Sequence, residues 1–328
     1  MPSPIRLLPL GLVPPWQTQA YYHAVAEKMT AETPDTIILC RPNAPYLCLG
    51  YHQVYESVLD PAECARRGLH VFRRRVGGGA TYLDENQLFY QCIFHHSRVP
   101  VHFREVYARL LAAPVEALRR LGLDAALHDV NEIEVGERRI AGIGGGRIGE
   151  ACVVVGNLLF DFDYDTMAAV WRVPWPSFRQ LAAAALRQSI VTLNRLATTS
   201  PDEMELTLID TFSETLHRPL QPGTLTPEET RTAERLAHTL ASPEFLALHR
   251  AGDAAPDSMR ALKISARAHI RAGETRVNGY HLRGSFRLNQ EAIQESILES
   301  DPPHDWQPVE EQLHGILFSD WENHVHAL

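Results

Sequence analysis

Three consecutive glycines, Gly77, Gly78 and Gly79, follow three consecutive arginines, Arg73, Arg74 and Arg75, within VFRRRVGGGATYLDENQLFYQC from Val71 to Cys92. Backbone without Cβ atoms lets main-chain N–H groups approach an anion or a thin apolar chain, and guanidinium groups beside it can neutralise phosphate. A loop that lies against a ligand is therefore one reading of the stretch. The other is a glycine-rich hairpin turn beside a solvated arginine face.

The rest of the composition narrows the classes. A chain of 328 residues is long enough for a full core and for two domains, or one large and one small. With hydrophobic residues at 45% and charged ones at 22%, it has the balance of a soluble globular protein and no tract biased enough to argue disorder. A net charge of -9 argues against a nucleic-acid carrier, which needs a basic face, and leaves the arginine run a local feature. Cysteines 40, 48, 64, 92 and 152 are odd in number, without a CxxC pair or metal-ligand spacing. They read as buried, reduced thiols of a cytoplasmic protein. The amino-terminal MPSPIRLLPLGLVPPW is broken by prolines and lacks a small-residue cleavage site, so an export signal is not expected. No apolar run approaches the ~20 residues of a membrane span. Of the 31 basic residues, only Lys28 and Lys263 are lysine.

Along the chain, apolar spacing predicts a helix over 17–31, and DTIILC and APYLCLG read as strands. Asp60-Pro61 with Glu63 predicts the next helix start. Residues 69–74 then form a strand, joined through the glycines to a partner strand over 87–94, and a helix follows over 104–121. NEIEV-GE-RRIAGI reads as a hairpin turning at Gly136-Glu137, ahead of the apolar strand ACVVVGNLLFDFD. Gly144, Gly146 and Gly149 spell GxGxxG, but strands flank it on both sides, whereas a dinucleotide fingerprint opens a helix. Helices are predicted from 201 to about 217, after Thr226-Pro227 and after Ser242-Pro243. Short strands over 260–270, 275–280, 281–288 and 292–298 precede a final helix over 308–314 and a polar tail. The elements give an α+β chain: a large mixed domain over 1–222 and a smaller one over 223–328, joined at Gln221-Pro222-Gly223.

GxSxG and GxxxxGK[ST] are absent. His95, His96 and His102 lack regular spacing for a metal, and Asp161, Asp163 and Asp165 suit a solvated face or at most a loose Mg²⁺ contact. What remains is two glycine-rich runs, each next to arginines, with the pair Asn131-Glu132 between them. That set suits a reaction in which a carboxylate meets a nucleotide phosphate, since joining two anions needs fixed cations, main-chain donors and usually Mg²⁺.

The order GYHQ, RRRVGGGATYLD, NEIEVGERRIAG, GNLLFDFD and then IVTLN resembles the lipoate-protein ligase A family over nearly the whole chain, with the arginine-glycine element the most specific part. The resemblance implies a fold of the biotin/lipoate ligase type over 1–222, with an accessory domain over 223–328. It implies activation of lipoate or octanoate by ATP, with Mg²⁺, to an acyl-adenylate. Transfer to a lysine of a carrier would follow, either a lipoyl domain of a 2-oxoacid dehydrogenase or an H-type protein of glycine cleavage. By position, Arg74, Gly77, Gly78, Gly79, Asp84, Asn131 and Gly142 would line the acyl and adenylate pocket. Arg139 stands where the family carries its catalytic lysine, while Leu83 and Val155 stand where it carries histidines. Two alternatives remain open at this point: a homologue that binds the acyl group without turnover, and a transferase that passes acyl groups between carriers through a thiolate, with Cys152 the nearest thiol to the second glycine-rich run.

Overall fold

The computed structural model describes residues 3–249 and 260–327. The chain opens with β1 (Ile5–Val13), α1 (Pro15–Glu27), β2 (Thr36–Pro42), β3 (Tyr46–Leu49), α2 (Tyr55–Val58), α3 (Pro61–Arg66), β4 (His70–Arg73), β5 (Thr81–Leu83) and β6 (Gln87–His95). It continues through α4 (Phe103–Arg120), β7 (Ala125–His128), β8 (Glu132–Val135), β9 (Arg138–Arg139), β10 (Ala141–Ile148) and β11 (Ala151–Leu159). Next come α5 (Tyr164–Val170), α6 (Pro176–Ser189), α7 (Pro201–Leu216), β12 (Leu220–Pro222), α8 (Pro227–Leu240) and α9 (Pro243–Leu246). The last part holds β13 (Ala261–Lys263), β14 (His269–Val277), β15 (Tyr280–Asn289), β16 (Ala292–Asp301), α10 (Gln307–Gln312) and α11 (Trp321–His326).

A six-stranded mixed sheet, in the order β10-β11-β6-β2-β1-β12, forms the centre. Alternation along its strands divides the core. Ile37, Leu39, Leu88, Tyr90, Cys92 and Phe94 meet α4 and α7 on one face. Ile38, Cys40, Phe89 and Ile93 meet α1 and α8 on the other. Capping boxes at Ser200/Glu203 and Thr226/Glu229 start α7 and α8. A β4-β3-β5 sheet and a β7-β8-β9 sheet flank the centre, and β13-β14-β15-β16 form an antiparallel sheet near the carboxyl end. The division expected after residue 222 falls between β12 and α8. Ala233, Leu236 and Leu240 of α8 lie in the apolar cluster of α1. Ile264 and Ala268 of the β13-β14 connection and Ile270 and Ala272 of β14 share a cluster with Phe178 and Leu181 of α6. No helix among the described residues is long and apolar enough to cross a membrane.

Three expectations are corrected. The strand over 87–94 is not a hairpin partner of 69–74. β6 lies between β2 and β11, while β4 pairs in parallel with β3. All nine residues of β6 are buried, and a strand apolar on both faces belongs at the centre of a covered sheet. Helices α5, α6 and α11 had no counterpart in the sequence reading. The strand expected over 275–280 contains a turn instead: Asn278 and Gly279 take φ of 49° and 88° and close the β14-β15 hairpin, as an Asn-Gly pair does.

Candidate active site

A cavity of about 230 Å³ opens where the loop between β4 and β5, the β8-β9 hairpin, the β10-β11 pair and β13 converge. Its apolar lining comes from the sheets: Leu83, Phe89, Ile143 and Val155. Its charged and amide lining comes from the hairpin and from β13: Asn131, Glu132, Arg139 and Lys263. Arg74, Gly78, Gly79 and Gly142 line it as well. Six of the eight expected site residues thus meet in one place. Gly77 and Asp84 are outside that lining.

The arginine run is used differently from the expectation that its guanidinium groups stand ready for phosphate. Arg73 is wholly buried and donates to the carbonyls of Gly50, Tyr51, Gln53, Phe245 and Leu246 at 2.6–3.1 Å. Arg74 donates to the carbonyl oxygens of Gly77, Gly79 and Cys48 at 3.0, 2.7 and 3.3 Å, and so folds the glycine loop around its own head group. Arg75 pairs with Glu27 of α1. Buried carbonyls that lack a strand partner must find donors, and these arginines supply them.

Two glycines are dictated by close approach. Gly78 has φ of +105°, and a Cβ there would fall 2.5 Å from Arg74 Nη2. A Cβ on Gly142 would fall 2.6 Å from Asn157 Oδ1, the atom that accepts the Gly142 N–H at 3.1 Å. Asn157 Nδ2 in turn donates to Gln87 Oε1 at 2.5 Å, and Gln87 Nε2 to the Tyr82 carbonyl at 3.2 Å. This buried amide chain fixes β10, β11 and β6 against β5 below the cavity. Asp84 accepts from the Asn86 N–H at 3.0 Å, so its carboxylate shapes the turn from β5 to β6, and burial raises its pKa. Gly77 N–H donates to the Gly145 carbonyl at 3.1 Å.

On the hairpin, Gly136 and Glu137 take φ of 56° and 63°, the left-handed pair that a two-residue turn between twisted strands requires. The turn brings Arg139 opposite Glu134 in register. Arg139 Nη1 donates to the Ile264 carbonyl at 2.8 Å and lies 3.9 Å from Glu132 Oε2, while its Nε is buried without a partner. Burial holds the guanidinium below its usual range and Glu132 draws it back; an arginine keeps its charge in either case. Glu132 accepts the Ala266 N–H at 2.9 Å, and Glu134 pairs with Arg267 at 3.1 Å. Residues 264–267, between β13 and β14, are therefore latched to the hairpin. Lys263 and Asn157 line the cavity without having been named as site residues, and Glu132 had been named only as the partner of Asn131. Only the scarcity of lysine could have drawn attention to Lys263.

Other candidates lie elsewhere. Among the described residues, His95 and His96 come together with Glu150, not His102, and none of them lines the cavity. Asp163 caps α5 through the Thr166 N–H, and Asp165 pairs with Arg187. The GxGxxG glycines run along β10 and into its turn, as the flanking strands implied. Cys152 is buried in the core, outside the cavity lining, and burial pushes its thiol up to about 11, the reverse of what a thiolate nucleophile needs.

A mixed sheet beside smaller ones, with a cleft apolar on one side and lined by arginine, lysine, amide and carboxylate groups on the other, has the form of an enzyme site for an amphiphilic anion. Residues 14–213 match the lipoyl protein ligase A/B catalytic domain, and the chain belongs to that family. It is 30% identical over 198 residues to lipoate-protein ligase A subunit 1 of Thermoplasma acidophilum, covering 57% of this chain and 75% of that one. It is 29% identical over 233 residues to octanoyltransferase LipM of Kyrpidia tusciae, covering 62% and 84%. The solved bipartite lipoate protein ligase from T. acidophilum, studied with its E2 lipoyl domain, superimposes with a TM-score of 0.70 at 28% identity, covering 76% of this chain and 98% of that chain. A lipoate-protein ligase A bound with ATP superimposes with a TM-score of 0.64 at 27% identity, covering 75% and 100%. The chain is of the lipoate-protein ligase or related acyltransferase type.

Proposed function

We infer that this protein is an ATP-dependent ligase for lipoate or octanoate. The observation that carries the reading is the divided cavity: Leu83, Phe89, Ile143 and Val155 suit an aliphatic acyl chain, while Asn131, Arg139 and Lys263 suit its carboxylate and the nucleotide phosphates. The acyl carboxylate oxygen attacks the α-phosphorus of ATP, and pyrophosphate leaves. The unprotonated amine of a carrier lysine then attacks the acyl carbonyl, and AMP leaves as the amide forms. Both steps gather negative charge on phosphate oxygens, which fixed donors and cations stabilise more in the transition state than in the ground state. The ligase relatives solved with ATP and with lipoic acid support both substrates.

Mg²⁺ brought in on the phosphates would fit the site: the Asn131 amide and the Glu132 carboxylate offer oxygen donors that would hold it, and it would supply charge that offsets the phosphates. Gly78 and Gly79 present the loop backbone to the adenylate, and Gly142, which lines the cavity beside Ile143, approaches the acyl chain. Residues 1–222 supply most of the pocket, and the accessory part after them reaches it through β13. A lipoyl domain of a 2-oxoacid dehydrogenase is the acceptor favoured by the T. acidophilum pair, with an H-type carrier as the second candidate. The test is lipoate- or octanoate-dependent exchange of labelled pyrophosphate into ATP by the purified chain. Absence of exchange with both acids sinks the reading. Octanoyl transfer between carriers without ATP would replace it with the activity named for the LipM relatives.

A further inference from the structure

We propose that Lys263, contributed by the accessory part, is the catalytic cation that contacts the acyl carboxylate and the α-phosphate, and that Arg139 is the positioning residue that sets it there. This rests on the ligase reading.

Adenylation needs a positive charge that can follow electron density from a carboxylate to a phosphoryl oxygen. A compact ammonium on a flexible stem does that better than a fixed planar fork. Three cationic side chains line the cavity: Arg74, Arg139 and Lys263. The first is committed to loop carbonyls; the second spends Nη1 on the Ile264 carbonyl and sits 3.9 Å from Glu132, with its Nε buried and unpartnered, so its fork is held in place by the latch. Among the described residues, the Lys263 ammonium has no hydrogen bond or ion pair to protein, although Lys28, the other lysine, is bound to Glu228 at 2.6 Å.

The placement of Lys263 is not loose. It immediately precedes Ile264, whose carbonyl receives Arg139 Nη1 and whose side chain is 3% exposed in the core shared with α6. Two residues further on, Ala266 N–H donates to Glu132, itself part of the cavity wall. The backbone on the carboxyl side of Lys263 is thus pinned to the hairpin, while its side chain remains uncommitted at a junction of the main cavity with two smaller ones lined by Ala80.

Octanoate-dependent pyrophosphate exchange by the full chain is expected to fall ~10²–10³-fold in Lys263→Ala. Partial recovery is expected in Lys263→Arg, and no change in Lys28→Ala. Lys263 is solvent-exposed, so an unchanged Tm should accompany the loss. Undiminished exchange by Lys263→Ala overturns the proposal while leaving the ligase reading intact. If the wild-type chain shows no exchange, the ligase reading fails and the lysine is judged by calorimetry with octanoyl-AMP. Binding weakened tenfold or more by Lys263→Ala then upholds the cation site. Equal binding by the two proteins, or none by either, removes it.

Discussion

His23 shows how one buried side chain can tie a helix to a functional loop. Its Nε2 accepts the Arg75 N–H at 2.9 Å, so Nδ1 carries the ring proton and donates to the Gln19 carbonyl at 2.6 Å. Burial above all, helped by the charges of Arg75 and Arg74, lowers its pKa to about 3. An unfolded histidine takes its proton near pH 6.5. The contribution of His23 to stability is therefore complete above that pH and declines as pH falls towards 3, by about 1.4 kcal/mol per unit. Denaturant midpoints between pH 7 and pH 4.5 should show a shallower pH slope in His23→Gln than in wild type; parallel slopes would refute the link. At Gly78 the left-handed φ and the approach of Arg74 combine, and Gly78→Ala is expected to cost about 1–3 kcal/mol and to weaken octanoate binding. Arg139→Lys separates two views of that position. A lysine head has no planar fork to hold the Ile264 carbonyl beside Glu132, so exchange activity should fall or stay level. A steep rise would put the working cation at 139 instead of 263.

Among the elements, the β8-β9 hairpin does the most for the site. Its left-handed turn sets the register, and the register puts Glu132, Glu134 and Arg139 where residues 264–267 can meet them. The Arg267–Glu134 pair has one partner well exposed, so it fixes direction more than it adds stability. The Ala266 N–H to a buried carboxylate is the stronger tie. Ala266→Pro deletes that donor, and is expected to lower pyrophosphate exchange at least tenfold and to hasten proteolysis between α9 and β14. Unchanged kinetics and an unchanged digestion pattern would show that the latch does not position Lys263. The hairpin itself was legible from NEIEV-GE-RRIAGI, because a turn with two left-handed residues leaves a local signature. Its partner was not, because nothing in a sequence states which distant backbone N–H a carboxylate will accept.

For the whole molecule, the apolar clusters cross the expected division of the chain. A cut after residue 222 removes α8, whose Ala233, Leu236 and Leu240 share an apolar cluster with α1, and should give a protein of much lower Tm. A cut after residue 249 keeps α8, and is expected to melt higher than the shorter fragment while losing exchange with Lys263; the two melting curves check it. By itself the sequence settled what local rules settle: the glycine-rich turn, the helix caps, the patterns of β2, β6 and β11 and the α+β class, while the six residues that line the cavity were named through the family resemblance. It also carried the family motifs in order. Tertiary structure alone decided that β6 belongs to the central sheet, that Arg73 and Arg74 turn inward to carbonyls, and that a lysine 124 positions after Arg139 shares its cavity. The physical reason is one of range. Caps and turns are fixed by neighbours a few residues away, whereas buried carbonyls and carboxylates take whichever donors the packed chain brings to them.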